Sequence, residues 1–208
     1  MKKIISLFSL GTAFVLLAAF PLAADDSGAG AGGLVLVTKN LAPGQSNLAL
    51  DGFFYETNRV RVPVSLPLTE ISRRTTRELK MPDGRTVKIS VEPTGKHFVL
   101  KLSAQPATDI GKWGFTIKAD ATEYFTGLME RVVDGPQQAS WAAGIDEAMD
   151  LRGQKVDMIL KPTTSVYAPF YLSSRGYATF ARTDWPGFYD FCSSDPGRVK
   201  IEFEGPSL

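Results

Sequence analysis

Apolar and polar residues alternate with a period of two along much of this chain. The pattern is clearest in residues 60–66, 87–91, 98–102, 113–117 and 199–203. Successive side chains of a strand point to opposite faces of a sheet, so each segment is predicted to be a strand with one buried face. In the segment 113–117, this alternation places Trp113 in the core.

Turn sequences separate these segments. Pro82-Asp83-Gly84 stands between the polar stretch Arg77–Lys80 and the strand predicted at Thr86–Glu92, which is typical of a hairpin. Asp195-Pro196-Gly197 precedes the last predicted strand. No window of helical length carries a convincing apolar stripe of period 3.6. The sequence therefore predicts an all-β fold, a large antiparallel β-sandwich.

Composition agrees with an ordinary globular protein. The chain has 208 residues, of which 44% are apolar and 22% charged, and its net charge is +1. Such a chain is long enough to bury a core, and sandwiches of this size commonly form one domain. The near-neutral charge gives no reason to expect nucleic acid as a partner.

The N-terminal residues 1–24 are predicted to be a secretory signal peptide. Lys2 and Lys3 precede an apolar run, Ile4–Phe20, and small residues follow it before Asp25. An uncleaved membrane anchor is the alternative, but the run is short for a spanning helix, so we expect no stable membrane anchor. Residues 25–33 are predicted to be a flexible Gly/Ala/Ser linker and residues 34–208 the sandwich. The expected location is secreted or periplasmic.

Residues able to carry catalysis are scarce. His97 is the single histidine and Cys192 the single cysteine, so neither an internal disulfide nor a metal-ligand spacing is present, and we expect no cofactor. No nucleophile signature surrounds His97. We interpret His97 as a residue at the start of a strand and Cys192 as a small buried apolar residue.

Three residues are candidates for sugar contact. Trp141 and Trp185 lie in connections rich in Gly, Pro and Asp, where an aromatic ring either stacks on a sugar or caps the core. Asp146 lies close to Trp141 in sequence, and either lines a sugar-binding wall or belongs to a solvated acidic loop. We predict Trp141, Asp146 and Trp185 as substrate-binding residues. No pair of facing catalytic carboxylates is identifiable.

Three segments resemble one known family. They are FTGLMERV at Phe125–Val132, MDLRGQ at Met149–Gln154 and APFYLSSRGYATF at Ala168–Phe180. In this order and spacing, they are similar to the N-terminal domain of family 31 glycoside hydrolases, the α-glucosidase and α-xylosidase superfamily. The resemblance runs from about Tyr124 onward, whereas the preceding part is similar only in its richness in strands.

The resemblance implies a galactose-mutarotase-like sandwich that braces a catalytic (β/α)8 barrel. In the family that barrel carries both catalytic aspartates, and neither aspartate motif stands in this sequence. The implied partners are therefore an α-linked carbohydrate and a barrel domain, and we expect no hydrolysis by the chain alone. Arg152-Gly153 leads to Met158–Thr163 instead of the family's tryptophan-asparagine-threonine-aspartate stretch. This departure resembles the α-xylosidase side of the family and leaves Val133–Met149 as the better candidate for the barrel-facing or substrate-facing rim.

Residues of the three segments also have local explanations. We expect Gly153 and Gly176 to occupy turns that need a positive φ. Arg175 is expected to pair with a carboxylate or to cap carbonyls, and Arg152 to be a structural residue of its segment. Glu130 stands in an apolar segment, so its carboxylate is predicted to be partly buried and hydrogen-bonded.

Three functional hypotheses follow from the sequence. The first is a non-catalytic sandwich of an exported α-glycosidase, encoded in a shortened or split reading frame. The second is a stand-alone carbohydrate-binding module, and the third a purely structural sandwich. The first hypothesis predicts an exposed apolar patch where the barrel docks.

Overall fold

The computed structural model describes residues 33–38, 46–65, 75–95, 97–129, 150–158 and 167–207. These residues form thirteen strands and no helix. The strands are β1 Gly33–Val37, β2 Ala49–Thr57, β3 Val60–Val64, β4 Thr75–Lys80, β5 Thr86–Pro93, β6 Phe98–Gln105, β7 Ile110–Lys118, β8 Phe125–Met129, β9 Lys155–Met158, β10 Tyr167–Ser173, β11 Tyr177–Arg182, β12 Gly187–Phe191 and β13 Arg198–Glu204.

The strands form two sheets that pack face to face. One sheet has seven strands in the order β4-β5-β6-β1-β11-β10-β8, and the other has six in the order β3-β2-β7-β13-β12-β9. Neighbouring strands pair antiparallel in both sheets. The predicted all-β antiparallel sandwich is therefore confirmed.

The core lies between the two sheets and is rich in aromatic rings. At the centre of the six-stranded sheet, Trp113 and Phe115 are fully buried in β7, as their alternation with polar residues predicts. On the other sheet, the ring of Tyr171 lies 5.1 Å from that of Phe191 and 6.3 Å from that of Tyr189, both in β12. Buried aromatic side chains of this kind each stabilise a fold by roughly 1.5–3 kcal/mol.

The predicted hairpin is present, because β4 and β5 pair across Pro82-Asp83-Gly84. β10 and β11 form a second hairpin across Ser174-Arg175-Gly176. One detail of the pattern is wrong: Val60 was predicted to be buried with Val64, but it is 60% exposed. Its strand, β3, lies at the edge of the six-stranded sheet, where the second sheet covers less of it. Strand β1 begins at Gly33, one residue before the predicted start of the sandwich.

The β4–β5 turn contains a carboxylate that links stability to pH. Asp83 Oδ2 accepts hydrogen bonds from Tyr55 Oη at 2.7 Å and from Arg85 Nη1 at 2.6 Å. Burial alone would raise the pKa of Asp83, but the hydrogen bonds from Tyr55 and Arg85 outweigh it and hold the pKa below its ordinary value. The ionised carboxylate thus stabilises the fold above the unfolded-state pKa of about 3.9, and this contribution is lost as pH falls through the folded-state pKa.

We therefore predict that the wild type loses more stability in acid than the Asp83→Asn variant. Between about pH 6 and about pH 2, the free energy of unfolding should fall further in the wild type than in the variant. Residue 83 gains a proton over that range in the wild type, whereas the asparagine of the variant does not titrate. Urea unfolding at both pH values measures the two losses, and equal losses would contradict the prediction.

Candidate functional site

The segments that carry the family resemblance meet in space. β8, from the first segment, pairs with β10, from the third. The backbone N–H of Leu151, in the second segment, donates to the carbonyl of Phe125 at 2.8 Å, and that of Ser174 donates to the carbonyl of Tyr124 at 3.0 Å. We call residues 120–125, 150–154 and 173–176 the junction.

Asp150 and Arg152 hold the junction together from its second segment. Asp150 Oδ1 accepts from the backbone N–H of Phe125 at 3.0 Å and from that of Arg152 at 2.9 Å. The Arg152 guanidinium donates to three carbonyls: Asp120 at 3.0 Å and Glu123 at 2.8 Å through Nη1, and Pro196 at 2.8 Å through Nη2. One side chain thus connects the junction with the turn before β13.

Glu123 is the buried charge of the junction, with only 2% of its surface exposed. Ser173 Oγ donates to Glu123 Oε1 at 2.5 Å, and the backbone N–H of Asp120 donates to Oε2 at 3.0 Å. Tyr177 lies beside this carboxylate. Burial, and after it the negative charge of Glu123, raise the pKa of Tyr177 well above its ordinary value, so the phenol stays neutral.

Arg175 and Gly176 form the turn at the third segment. Arg175 Nη1 lies 3.3 Å from Asp120 Oδ2, and its carbonyl accepts from Asn47 Nδ2 at 2.6 Å. Gly176 has a φ of 80° and Gly153 a φ of 79°, the left-handed conformation expected for both glycines. The arrangement of the junction is that of a scaffold: charged groups bind backbone atoms and neighbouring loops.

The outer face of the seven-stranded sheet is apolar across four strands. Two rows of paired residues cross it, namely Val37, Ala178 and Leu172 in one row and Val99, Val35, Phe180 and Phe170 in the other. Within these rows Val99 and Ala178 are buried, whereas Leu172 is 46% exposed. Tyr124, at the junction end of this face, is 41% exposed. We call these rows together with Tyr124 the outer apolar face.

Of the three residues predicted to contact sugar, Trp185 is the one that lies within the described part of the chain. Trp185 is half exposed and lies just before β12. Trp141 and Asp146 lie outside the described residues, as do Glu130 and the whole of Val133–Met149. The assignment of Trp141, Asp146 and Trp185 to substrate binding stays a prediction.

His97 immediately precedes β6 and lies in a groove of about 480 Å³ at the end of the seven-stranded sheet. The groove is lined by Val37, Thr38, Pro93, Gly95, His97, Phe98 and Gly176. Within the described residues no three His, Cys, Asp or Glu side chains are grouped to hold a metal ion. The same part of the chain contains no helix that is long and apolar enough to cross a membrane.

Cys192 is buried and unpaired at the end of β12. Burial raises the pKa of its thiol above the ordinary value, which disfavours the reactive thiolate.

Sequence reasoning did not single out Glu123. It stands in the polar run Asp120-Ala121-Thr122-Glu123, which is typical of an exposed turn. Its burial depends on Ser173, which follows 50 residues later in the chain.

Comparison with known proteins gives distant structural similarities. No family model matches the chain, and no curated protein matches it. A family 31 sulfoquinovosidase from E. rectale is similar with a TM-score of 0.44 and 13% identity, over 82% of this chain and 26% of that one. The cycloalternan-degrading enzyme of Trueperella pyogenes is similar with a TM-score of 0.36 and 12% identity, over 84% of this chain and 28% of that one.

A family 31 dextranase of Flavobacterium johnsoniae is similar with a TM-score of 0.33 and 16% identity, over 63% of this chain and 18% of that one. The chain thus spans about a quarter or less of these enzymes. At such identities and TM-scores, the similarities establish neither the family nor the activity of the chain.

Proposed function

We propose that the chain is the non-catalytic β-sandwich of an exported α-glycosidase related to family 31, and that it braces a catalytic (β/α)8 barrel. The observation that carries this proposal is the junction. Three segments selected for their resemblance to one family domain, separated by up to 50 residues, form a single hydrogen-bonded unit. Segments that resembled the family domain only by chance would not be expected to lie next to one another in the fold.

The outer apolar face is the proposed docking surface for the barrel. It is continuous with the junction through Tyr124, whose backbone N–H donates to Ser174 Oγ at 3.2 Å. Leu172 and Val37 extend it away from that end, and their side chains are 46% and 40% exposed. Exposed apolar side chains grouped on one sheet face are typical of a surface that another protein domain covers.

The proposed roles of the sandwich and the barrel follow from the chemistry of glycoside hydrolysis. Two facing carboxylates are needed at the scissile bond, and in this proposal both belong to the barrel. The sandwich contributes a rigid wall, since the charged groups of its junction bind its own backbone. Export through residues 1–24 is part of the same proposal.

The coding region adjacent to this reading frame tests the proposal most directly. We expect it to encode a (β/α)8 barrel with two catalytic aspartate motifs. When co-expressed with the chain, this barrel should co-purify with it and hydrolyse p-nitrophenyl α-D-glucoside or α-D-xyloside, whereas the chain alone should hydrolyse neither. A region that encodes no barrel would overturn the bracing function.

A pair of matched variants tests the docking surface. Leu172→Glu places a charge on the outer apolar face and should weaken barrel association more than about tenfold, because the carboxylate would be buried without a partner. Val60→Glu places the same charge on an exposed valine of the other sheet and should leave association unchanged. Equal affinities of the two variants, measured by calorimetry, would contradict the docking surface.

A stand-alone carbohydrate-binding module is the second candidate function. The observation that favours it is Trp185, which lies just before β12 and is 51% exposed.

A further inference from the structure

Trp185 is presented to solvent by the backbone beneath it. A Cβ built on Gly205 would lie 2.7 Å from both Cδ1 and Nε1 of Trp185 and 2.8 Å from Cε2. These nearly equal distances place the five-membered part of the indole flat over Gly205. One face of the ring is therefore packed on the glycine, and with 51% of the residue exposed the opposite face is open.

A groove of about 110 Å³ lies next to the turn that carries Trp185, although the Trp185 side chain is not part of its lining. Its lining begins with Pro186, directly after Trp185, and ends with Glu204, directly before Gly205. Between them lie Phe188 and its register partner Asp157, from β12 and β9. The groove therefore lies on the outer face of the six-stranded sheet, whereas the outer apolar face belongs to the other sheet.

The charged side chains at the edge of the groove differ in the number of ion pairs and hydrogen bonds that they form. Glu202 is bound by cations, with Arg61 Nη2 at 2.7 Å and Lys200 Nζ at 2.5 Å. Lys112 Nζ lies 3.6 Å from Glu202 and 4.0 Å from Glu56, and its ammonium group has three N–H donors. Asp157 and Glu204 have no ion pair or side-chain hydrogen bond to any described residue, so their oxygens remain open as acceptors.

We infer that this surface binds a neutral oligosaccharide, with one sugar ring stacked on Trp185 and its hydroxyls bonded in the groove. A pyranose ring has apolar C–H faces and a rim of hydroxyls, which matches an open indole face bordered by carboxylates and an ammonium group. Asp157 and Glu204 accept from hydroxyl groups, and Lys112 donates to one. The two carboxylates outnumber the single available cation, which disfavours an anionic ligand.

The small volume of the groove limits the affinity that we expect for a sugar. Pockets that enclose a ligand measure about 300–1,000 Å³, so a groove of about 110 Å³ contacts a single sugar unit on an open surface. We expect a dissociation constant in the millimolar range, corresponding to roughly 4 kcal/mol. The inference rests on the carbohydrate class of the proposed function but not on the barrel.

Titration of the full chain with maltotriose, isomaltotriose and cellotriose tests the inference. Backbone NMR shifts should move saturably for residues around Trp185 and Phe188 with at least one of the three sugars. Trp185→Ala should weaken that binding about tenfold or more. Tyr124→Ala removes a comparably exposed aromatic ring from the opposite sheet and should leave it unchanged.

Asp157→Asn provides a second variant that keeps the shape of the groove. Removing its charge-assisted hydrogen bond should weaken sugar binding about threefold to tenfold. Wild-type affinity in Trp185→Ala, or no saturable shift with any of the three sugars up to about 20 mM, would overturn the inference. Saturation by tetramethylammonium in place of sugar would identify a cation site and overturn it equally. None of these outcomes depends on whether a barrel partner exists.

Discussion

Replacing Gly127 by alanine is expected to destabilise the fold more than any other single glycine substitution proposed here. Gly127 has a φ of 129°, which L-residues rarely adopt, and an added Cβ would lie 2.5 Å from the Phe170 carbonyl oxygen and 2.9 Å from Tyr171 Cα. Both are backbone atoms of the paired strand β10, so no side-chain rotation can relieve the overlap. We expect a loss of more than about 3 kcal/mol, a large part of the 5–15 kcal/mol that stabilises a typical domain.

Gly153→Ala is the matched control for this variant. Gly153 has a comparably unfavourable φ of 79°, but an added Cβ would meet nothing within 4 Å. The control therefore carries the backbone strain without the overlap and should cost about 1–2 kcal/mol. Urea unfolding followed by tryptophan fluorescence measures both variants, and equal losses would show that the approach of β10 to Gly127 is not decisive.

Gly127 also illustrates which part of the fold could not be predicted from the sequence. The strands β5, β6, β7 and β13 were predictable, because one face of each meets the core and the other meets water. β8 has no such pattern: both Gly127 and Leu128 have positive φ values, and the β8–β10 register shifts between Tyr167 and Tyr171. Such an irregularity depends on the partner strand, which alternation along one segment does not reveal.

Strand order was equally beyond the sequence. β1 lies between β6 and β11, so Val35 pairs with both Val99 and Phe180. Those partners lie 64 and 145 residues away along the chain, as the numbering shows. Alternation predicts that Val35 has neighbours on one face, but it carries no information about which distant strands provide them.

The candidate sites were predictable to different degrees. Glycine-bearing turns at residues 153 and 176 were identifiable because few other residues tolerate a positive φ. Trp185 was identifiable from its Gly/Pro/Asp-rich surroundings. The groove beside it was not, since Asp157, Phe188 and Glu204 come from three strands that only the sheet brings together.

Arg152 provides the second prediction of large effect. Its guanidinium is a planar fork of donors, and here it spans three carbonyls that belong to two separate turns. Arg152→Met keeps much of the side-chain length but removes every donor, so the carbonyls of Asp120, Glu123 and Pro196 lose their partner together. We expect the free energy of unfolding to fall by about 2–3 kcal/mol. A hydrogen bond to a charged group contributes a net stabilisation of about 1.5–3 kcal/mol, and water takes the place of the guanidinium at the exposed Asp120 and Pro196 carbonyls.

Arg152→Lys separates the geometry of these bonds from the charge. A lysine ammonium keeps the positive charge but cannot span the Glu123 and Pro196 carbonyls at once, so this variant should recover less than half of the loss. Urea unfolding measures the three proteins, and hydrogen exchange of the Leu151 and Arg198 amides reports the two turns separately. Both amides should exchange faster in Arg152→Met, since the guanidinium ties the turns to each other. Full stability in Arg152→Lys would show that charge alone maintains the junction and that the three-carbonyl geometry is incidental.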